Sequence, residues 1–247
     1  MRSVNFMEGL KMNKILISAI AFCFLMFTNV FAHDFWLEKK DGKIFIVSGH
    51  DDKWDAYDPA RVKEVKAFDS KGNILKIDAV RQKESAYIAP KENLAMISVF
   101  FDNHFWTKTT DGWKNITKRE AVKQSLQILE SGQSFKYAKY IEKWSDNLTM
   151  PVGSKMEIIP LKNPLSLKAG DVLPIAVLLD GKPLEGASIY LQGSHDVTAQ
   201  TAKDGAAAVK IKSGHNIVSS TTRVPFTNNP DADQLYLRAS ISFESKR

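Results

Sequence analysis

The sequence contains almost no cysteine. Its 247 residues include one, Cys23, which lies in an apolar segment near the start that we expect to be removed. The remaining chain therefore has no thiol, so disulfides cannot stabilise its fold. Any metal site must use imidazole, carboxylate, amine or backbone oxygen donors, because thiolate is not available.

Several catalytic signatures are also absent from the sequence. It has no G-x-S-x-G motif of serine hydrolases, no H-E-x-x-H zinc motif and no glycine-rich phosphate loop. The loop over residues 51–55 lacks the alternating oxygen ligands of an EF-hand. We therefore expect a protein that is not an enzyme.

The chain begins with the pattern of a signal peptide, which we place at residues 1–32. Lys14 supplies the positive charge, residues 15–27 form the apolar run, and Ala32 is the small residue that cleavage needs. A membrane anchor is the alternative, but the run is shorter than the roughly 20 residues of a spanning helix. Cleavage predicts a periplasmic protein with no further membrane-spanning segment.

Cleavage after Ala32 would make His33 the first residue of the mature protein, from a precursor that we expect to start at Met12. A terminal histidine offers its α-amine and one imidazole nitrogen to a single metal ion. The α-amine titrates near ~7.7–8.0, so binding there displaces a proton and depends on pH. The alternative is a frayed, exposed terminus without a ligand role.

The charge of the chain is mildly positive. The net charge of +6 falls to +4 after cleavage, because three cations (Arg2, Lys11, Lys14) and one anion (Glu8) leave with the signal peptide. The lysines are scattered along the chain, which predicts a solvated surface and no nucleic-acid partner. These lysines include Lys39, Lys40, Lys63, Lys66, Lys136, Lys139 and Lys143.

Short β-type runs separated by turn signals dominate the mature chain. This pattern predicts a mainly β protein with two β-sandwich lobes of immunoglobulin-like or prealbumin-like type. We assign residues 33–160 to an N-terminal β-rich domain and residues 161–247 to a C-terminal β-sandwich domain. The predicted strands cover residues 43–47, 62–68, 74–77, 85–88, 95–101, 172–179, 187–191, 197–201, 207–211, 217–224 and 235–243.

One stretch of the first domain departs from this pattern. Residues 118–129 and 135–144 are rich in helix-favouring residues, and apolar side chains recur at every third position from Phe135 to Ile141. We therefore predict a short helical insertion of one or two helices. The prolines and glycines of residues 145–164 predict a linker between the two domains.

All five histidines follow the expected cleavage site, and each lies at a predicted strand end or turn. Loops from distant parts of a sandwich meet at its poles, where such residues can converge. The candidate ligands are His33, His50, His104 and His215, with His195, Asp51 and Asp52 as open alternatives. Purely structural roles are the alternative, such as a solvated acidic loop around His50. Imidazole-rich sites suit nickel, cobalt, copper or zinc better than calcium or magnesium.

Three segments resemble the periplasmic nickel/cobalt uptake accessory proteins, a family long catalogued as a domain of unknown function. They are the start over residues 32–37, Gly49-His50 with residues 57–62, and the segment over residues 235–243. The resemblance implies an exported, all-β, two-lobed protein that binds Ni(II) or Co(II) and delivers it to a membrane transporter. Cu(II) and Zn(II) suit the same donors.

The resemblance assigns ligand roles to two histidines. The N-terminal histidine of the family corresponds to His33 and the histidine of its Gly-His loop to His50, whereas no motif fixes His104 or His215. Some relatives have a cysteine near the position of Asp231-Ala232-Asp233, which this chain lacks.

Two other functions use similar features. Copper-dependent polysaccharide monooxygenases also place an N-terminal histidine and a second imidazole on a β-sandwich, and they need a flat aromatic surface. A sandwich that binds a non-metal ligand would carry no stoichiometric metal after native purification.

Overall fold

The computed structural model describes residues 34–50, 53–192 and 196–246. The predictions for the signal peptide, His33, Asp51, Asp52 and His195 lie outside the described residues. Residues His33–Arg247 form one compact unit. Within the part of the chain that is described, no helix is both long enough and apolar enough to cross a membrane.

Strands dominate the described residues, which confirms the prediction of a mainly β fold with a short helical insertion. The single α-helix of these residues is α1 (Lys118–Lys123). The strands of the first half are β1 (Asp34–Lys40), β2 (Lys43–His50), β3 (Lys53–Trp54), β4 (Val62–Asp69), β5 (Ile74–Leu75), β6 (Ala79–Arg81), β7 (Ala86–Ile88), β8 (Leu94–Thr109), β9 (Gly112–Lys114) and β10 (Ile128–Ile141). Those of the second half are β11 (Met156–Pro160), β12 (Val172–Leu179), β13 (Lys182–Pro183), β14 (Ser188–Leu191), β15 (Ala199–Gln200), β16 (Ala206–Lys210), β17 (His215–Pro225) and β18 (Gln234–Glu244). Short 3-10 helices cover Pro59–Arg61, Asp146–Thr149 and Pro164–Ser166.

The described strands form three sheets. A five-stranded sheet has the order β1-β2-β7-β6, with β3 paired to β2, and a four-stranded sheet has the order β11-β12-β13, with β16 paired to β12. A nine-stranded sheet has the order β15-β14-β17-β18-β10-β8-β4-β5, with β9 paired to β8. Its pair β10 and β18 is parallel, whereas the pairs on either side are antiparallel.

Two hydrophobic cores share the nine-stranded sheet. One core joins it to the five-stranded sheet through residues such as Phe35, Leu37 and Phe101. The other joins it to the four-stranded sheet through residues such as Ile158 and Ile175. The nine-stranded sheet takes strands from both sides of the predicted boundary at residues 160 and 161, and the division into two domains stays a prediction.

The prediction of a helix over residues 135–144 is wrong, because residues 135–141 belong to β10 and residues 142–144 are not helical. Side chains alternate across a strand, and both faces of β10 are covered. Ala138 and Tyr140 enter the core of the five-stranded sheet, while Tyr137 and Ile141 enter the core of the four-stranded sheet. Burial on both faces removes the polar positions that would have marked a strand, and the remaining apolar spacing resembles a helix.

The helix α1 lies inside the predicted residues 118–129 but is shorter than that range. Its start is a capping box, in which Thr117 accepts from the N–H of Glu120 and the Glu120 side chain accepts from the N–H of Thr117. The segment over residues 145–164, predicted as a linker, includes the buried strand β11. Its apolar residues Met156, Ile158 and Ile159 are buried in the second core, so this part is not a free connection.

Two lysines that were expected on a solvated surface are buried. The Lys136 and Lys139 side chains on β10 retain 1% and 4% relative exposure. Because β10 is the fifth strand in the order from β15 to β5 and both faces of it are covered, even its polar positions are removed from water. The predicted solvation is therefore wrong for these two residues.

Candidate functional site

The first pair of residues in the β1–β2 ladder brings the start of β1 to the end of β2. Asp34 is paired with Gly49, and the antiparallel register continues from there to Lys40 and Lys43 at the turn. His50 therefore follows the residue that faces Asp34. The peptide bond before Asp34 leads to His33, which lies outside the described residues.

A tight approach between β2 and β3 fixes the end of β2. Gly49 also faces Trp54, and His50 faces Lys53. A Cβ atom built on Gly49 would lie 2.0 Å from the backbone oxygen of Lys53, so a residue with a side chain does not fit there. The half-buried His50 directly follows this glycine, whose lack of a side chain lets β3 approach β2 closely.

A cluster of charged side chains lies beneath this end of β1. Arg238 of β18 forms an ion pair with Asp34 and is the Cα partner of Lys136 on β10. The N–H of Asp55 donates to the Ser48 oxygen at 2.7 Å. We call this end of the sandwich the N-terminal pole and define it by Asp34, His50, Asp55, Arg61, Lys136 and Arg238.

Burial changes the ionisation of Arg238 and Lys136. Burial lowers the pKa of Arg238 to about 10. Burial, assisted by the charge of Arg61 and opposed by that of Asp55, lowers the pKa of Lys136 to about 7. Burial and the like charge of Arg61 therefore make the cationic form of Lys136 costly at this place.

Arg61 connects the pole to β8. Its guanidinium donates to Asn103 Oδ1 at 3.1 Å and to Asn115 Oδ1 at 3.2 Å. Asn103 and His104 together face one residue of β10, Ser134, so they form a β-bulge between two regular pairs. His104 has a positive φ of 60°, and its N–H donates to the Asp102 carboxylate at 2.9 Å.

The structure thus places His104 at the same end of the nine-stranded sheet as the N-terminal pole. The expectation that β8 ends at residue 101 is wrong, because the strand continues to Thr109 and His104 lies inside it. The bulge explains the difference, since the strand changes register without ending. The polar segment Asp102-Asn103-His104 looks like a turn in the sequence.

His215 lies at the opposite end of β1. Its Nδ1 is 3.0 Å from Oε1 of Glu244, the residue that it faces on β18. Ser240 and Ser242 of β18 contact Phe35 and Leu37 of β1, so Glu244 lies level with residue 39. A rise of about 3.3 Å per residue separates that level from Asp34 by ~17 Å. The structure therefore does not bring His215 together with His50.

Within residues 34–50, 53–192 and 196–246, no group of three or more histidine, cysteine, aspartate or glutamate side chains is arranged to hold a metal ion. Among the described residues of the N-terminal pole, His50 is a predicted metal ligand. The other predicted ligand at this end, His33, lies outside the described residues. A complete site at the pole thus depends on the residue before Asp34.

An aromatic cluster covers the outer face of the five-stranded sheet beside the pole. The ring of Phe45 lies 5.2 Å from that of Trp54 and 5.8 Å from that of Tyr87, with tilts of 47° and 48°. Lys40 Nζ lies 5.6 Å from the ring centre of Trp54, and Lys43 Nζ lies 4.5 Å from that of Tyr87. The rings are therefore not coplanar, and an ammonium group lies over one face of Trp54 and of Tyr87.

The sequence did not indicate that Arg238 and Lys136 are buried at the N-terminal pole. Their burial depends on β10 and β18 pairing in parallel across 102 positions of sequence, as Lys136 and Arg238 do. A single cation between apolar neighbours in a strand is the sequence signal that was available. Arg238 stands in such a run, between Leu237 and Ala239.

Comparisons with known proteins identify a family for most of the chain. The model of a family described as a domain of unknown function, DUF4198, matches residues 30–223. An uncharacterized protein of Haemophilus influenzae is 27% identical over 217 residues, which cover 87% of this chain and 91% of the relative. The fibronectin(III)-like modules of Clostridium thermocellum CbhA align with 9% identity and a TM-score of 0.23, over 82% of this chain and 85% of theirs.

Proposed function

The chain belongs to the DUF4198 family, and we propose that it binds a divalent transition-metal ion at the N-terminal pole and delivers it to an uptake transporter. The cargo is Ni(II) or Co(II), carried in the periplasm after removal of the signal peptide. The α-amine and imidazole of His33 and the imidazole of His50 are the main ligands. His104, at the same end of the nine-stranded sheet, is the candidate for a further ligand.

The pairing of Asp34 with Gly49 supports this proposal most strongly. Residues that face each other in an antiparallel ladder have Cα atoms about 4.5–5.5 Å apart, and consecutive Cα atoms are about 3.8 Å apart. His33 and His50 are each one residue beyond this pair, so one more step of the same ladder would make them neighbours. Two imidazoles at that separation can reach one metal ion.

The donor set fits a carrier of borderline metal ions. Amine and imidazole nitrogens favour nickel, cobalt, copper and zinc over magnesium and calcium. Each donor must lose its proton before it binds, so acidification weakens binding and releases the ion. Since the site lies at the edge of two strands, another protein's ligands can replace these donors without unfolding of the sandwich.

A copper-dependent oxidative enzyme would use the same terminal histidine and a second imidazole. The aromatic cluster of Phe45, Trp54 and Tyr87 beside the pole is the feature that favours this second candidate. Its rings are tilted, and lysine ammonium groups lie over two of them. Stacking on a flat polysaccharide needs open, level rings, so the geometry favours metal carriage.

Calorimetric titration tests the proposal directly. Ni(II), Co(II), Cu(II) and Zn(II) are titrated into protein that starts at His33 and into the same protein with one additional N-terminal residue. The additional residue blocks the chelate of the α-amine and imidazole but leaves the sheets unchanged. We expect one tight equivalent in the processed protein and weaker binding, by about tenfold or more, in the extended protein.

Three further measurements separate the alternatives. Mass spectrometry of the protein from the cell envelope must give a chain that starts at residue 33, and any other start removes the proposed chelate. Equal affinity of the extended protein would overturn the role of the amine. Oxidation of a polysaccharide by the copper form with ascorbate would favour the enzyme, and absence of bound metal after native purification would favour a non-metal ligand.

A further inference from the structure

We propose that the outer face of the five-stranded sheet docks on the surface of an anionic phospholipid membrane. This face lies opposite the core that contains Phe35 and Leu37. We call it the lysine-aromatic face and define it by Lys40, Lys43, Phe45, Trp54, Val80 and Tyr87. The inference goes beyond the proposed function and does not depend on it, because none of these residues is a predicted metal ligand.

The apolar side chains of the lysine-aromatic face form a continuous band across four strands. Phe45 on β2 faces Tyr87 on β7, and Tyr87 also faces Val80 on β6. Side chains of directly opposed residues lie on the same face of a sheet and contact each other. Trp54 on β3 extends the band, because its ring lies 5.2 Å from that of Phe45.

Both ends of this band are open to water. Trp54 and Val80 are 41% and 43% exposed, and Phe45 and Tyr87 between them are half-buried. A contiguous apolar patch that stays in contact with water is typical of an interaction site.

Two ammonium groups lie over the rings of the band. Lys40 Nζ is 5.6 Å from the ring centre of Trp54, and Lys43 Nζ is 4.5 Å from that of Tyr87. Both lysines are exposed, and neither forms an ion pair with a carboxylate of the described residues. Their positive charges are therefore available to an anionic partner.

The acidic side chain beside the band is already bonded. Glu38 is the residue of β1 that faces Phe45, and its Oε2 accepts a hydrogen bond of 3.0 Å from Trp36 Nε1. The lysine-aromatic face with this neighbour thus presents two ammonium groups and one carboxylate. Its net charge is positive and complements the negative phosphates of lipid headgroups.

The composition of this face favours a membrane over a protein or a polysaccharide. Tryptophan and tyrosine are enriched where apolar and aqueous regions of a membrane meet. Lysine keeps its apolar stem on an apolar surface and its ammonium group among water and phosphates. Protein interfaces instead are enriched in arginine and depleted of lysine, and a polysaccharide needs level, open rings.

Docking through this face would also bring the N-terminal pole close to the membrane. Trp54 faces Gly49, the residue before His50. The end of β2 is therefore adjacent to the docking surface, on the side of the protein from which a membrane transporter can be reached.

Vesicle sedimentation tests the proposal with processed protein that starts at His33. Vesicles of phosphatidylglycerol are compared with vesicles of phosphatidylcholine. The variants are Val80→Asp and the double variant Lys40→Gln with Lys43→Gln. Val172→Asp is the control for the first, because Val172 on β12 has the same exposure of 43%.

The control for the double variant is Lys182→Gln with Lys210→Gln. These lysines are exposed on β13 and β16 of the four-stranded sheet, and their replacement changes the net charge by the same amount. A difference between the two double variants thus reports the position of the charges and not their number.

We expect the unchanged protein to bind phosphatidylglycerol vesicles, less strongly at high salt, and to leave phosphatidylcholine vesicles unbound. Each lysine at an anionic surface is worth about fivefold in affinity, so the Lys40 and Lys43 double variant should bind about twentyfold more weakly. Val80→Asp should cost about fivefold, since it places a negative charge on the face. Both controls should bind as the unchanged protein does.

Quenching of tryptophan fluorescence by brominated lipids shows which surface meets the bilayer. We expect phosphatidylglycerol vesicles with brominated acyl chains to quench the unchanged protein. Trp54→Phe keeps an apolar ring on the face, so it should still bind but lose most of the quenching.

Several results would overturn the docking surface. Equal binding to both lipids, or to neither, would do so, as would equal losses in a variant and its control. Undiminished quenching in Trp54→Phe protein would place the bilayer against another surface. A dimer that dissociates in Val80→Asp protein would assign the lysine-aromatic face to a second copy of the chain instead.

Discussion

Lys139 Nζ donates a hydrogen bond of 2.6 Å to Glu157 Oε2, and their side chains are 4% and 2% exposed. Lys139 belongs to β10 in the nine-stranded sheet and Glu157 to β11 in the four-stranded sheet. The N–H groups of Val152 and Ser154 also donate to Glu157, at 3.0 and 2.6 Å. The ion pair therefore joins two sheets and orders the loop before β11.

Removal of one partner from this ion pair should strongly destabilise the protein. We expect Glu157→Ala to lower the free energy of unfolding by about 3–5 kcal/mol, because it leaves Lys139 buried without its counter-charge. Lys139→Met combined with Glu157→Gln should recover part of the loss. Urea unfolding measures these changes.

The exposed Lys155 provides the matched control for this experiment. It pairs with Asp180 at 2.9 Å, and its side chain is 34% exposed, so Lys155→Ala should cost less than about 1 kcal/mol. Losses of similar size at Glu157 and Lys155 would contradict the structural importance of the buried pair.

Lys136 should make the protein more stable as the pH rises above neutrality. Its pKa is lowered to about 7 in the folded protein, from 10.5, so between these values the unfolded chain binds more protons. The free energy of unfolding then increases with pH across this window, and each unit of pKa difference is worth about 1.4 kcal/mol. Urea unfolding at about pH 6, 8 and 9.5 measures the slope.

The variant Lys136→Met isolates this contribution, because every other titrating group remains. We expect the variant to have a smaller increase in unfolding free energy between neutral and alkaline pH than the unchanged protein. Identical slopes in the two proteins would show that Lys136 keeps its charge over the whole range.

Gly49→Ala should weaken metal binding without touching a ligand. The added Cβ would overlap the Lys53 oxygen at 2.0 Å, so β3 must move away from β2 and His50 moves with it. We expect Ni(II) affinity to fall by about tenfold, as measured by calorimetry on processed protein. Gly205→Ala is the control, because its Cβ would lie 2.7 Å from the Val177 oxygen in the other sandwich. Normal Ni(II) affinity in Gly49→Ala protein would show that His50 is not a ligand of the metal site.

His215→Ala should leave metal affinity unchanged. The residue pairs with Glu244 at the end of β1 that lies ~17 Å from Asp34. His50→Ala should lose most of the affinity when both variants are titrated with Ni(II) under the same conditions. A tenfold loss in His215→Ala would instead require a metal site at the other end of the sandwich.

Local patterns predicted much of the fold correctly. The prediction of β12 at residues 172–179 agrees with its observed bounds, and the expected strands over residues 217–224 and 235–243 lie within β17 and β18. Turn signals bound these strands, and apolar residues alternate with polar ones along β18 from Leu235 to Phe243. The strand β10 lost that alternation because both of its faces are buried, and it was mistaken for a helix.

One part of the candidate site could be predicted from the sequence, and another part could not. The expected terminal position of His33 and the Gly49-His50 pair are local sequence features, and the pairing of Asp34 with Gly49 is consistent with them. The burial of Lys136 beside Arg238 depends on a parallel pairing between segments far apart in sequence. A pattern of neighbouring residues carries no information about such a contact, so Lys136 looked like a surface charge.

The serine hydroxyls that bind β1 have a consequence for association between molecules. β1 is the outer strand of the five-stranded sheet, and an outer strand with free carbonyl groups is a template for strands of other chains. The carbonyl groups of Phe35 and Leu37 already accept hydrogen bonds from Ser240 and Ser242. β18 thereby closes this border against edge-to-edge polymerisation, so a second copy of the chain cannot extend the sheet along β1.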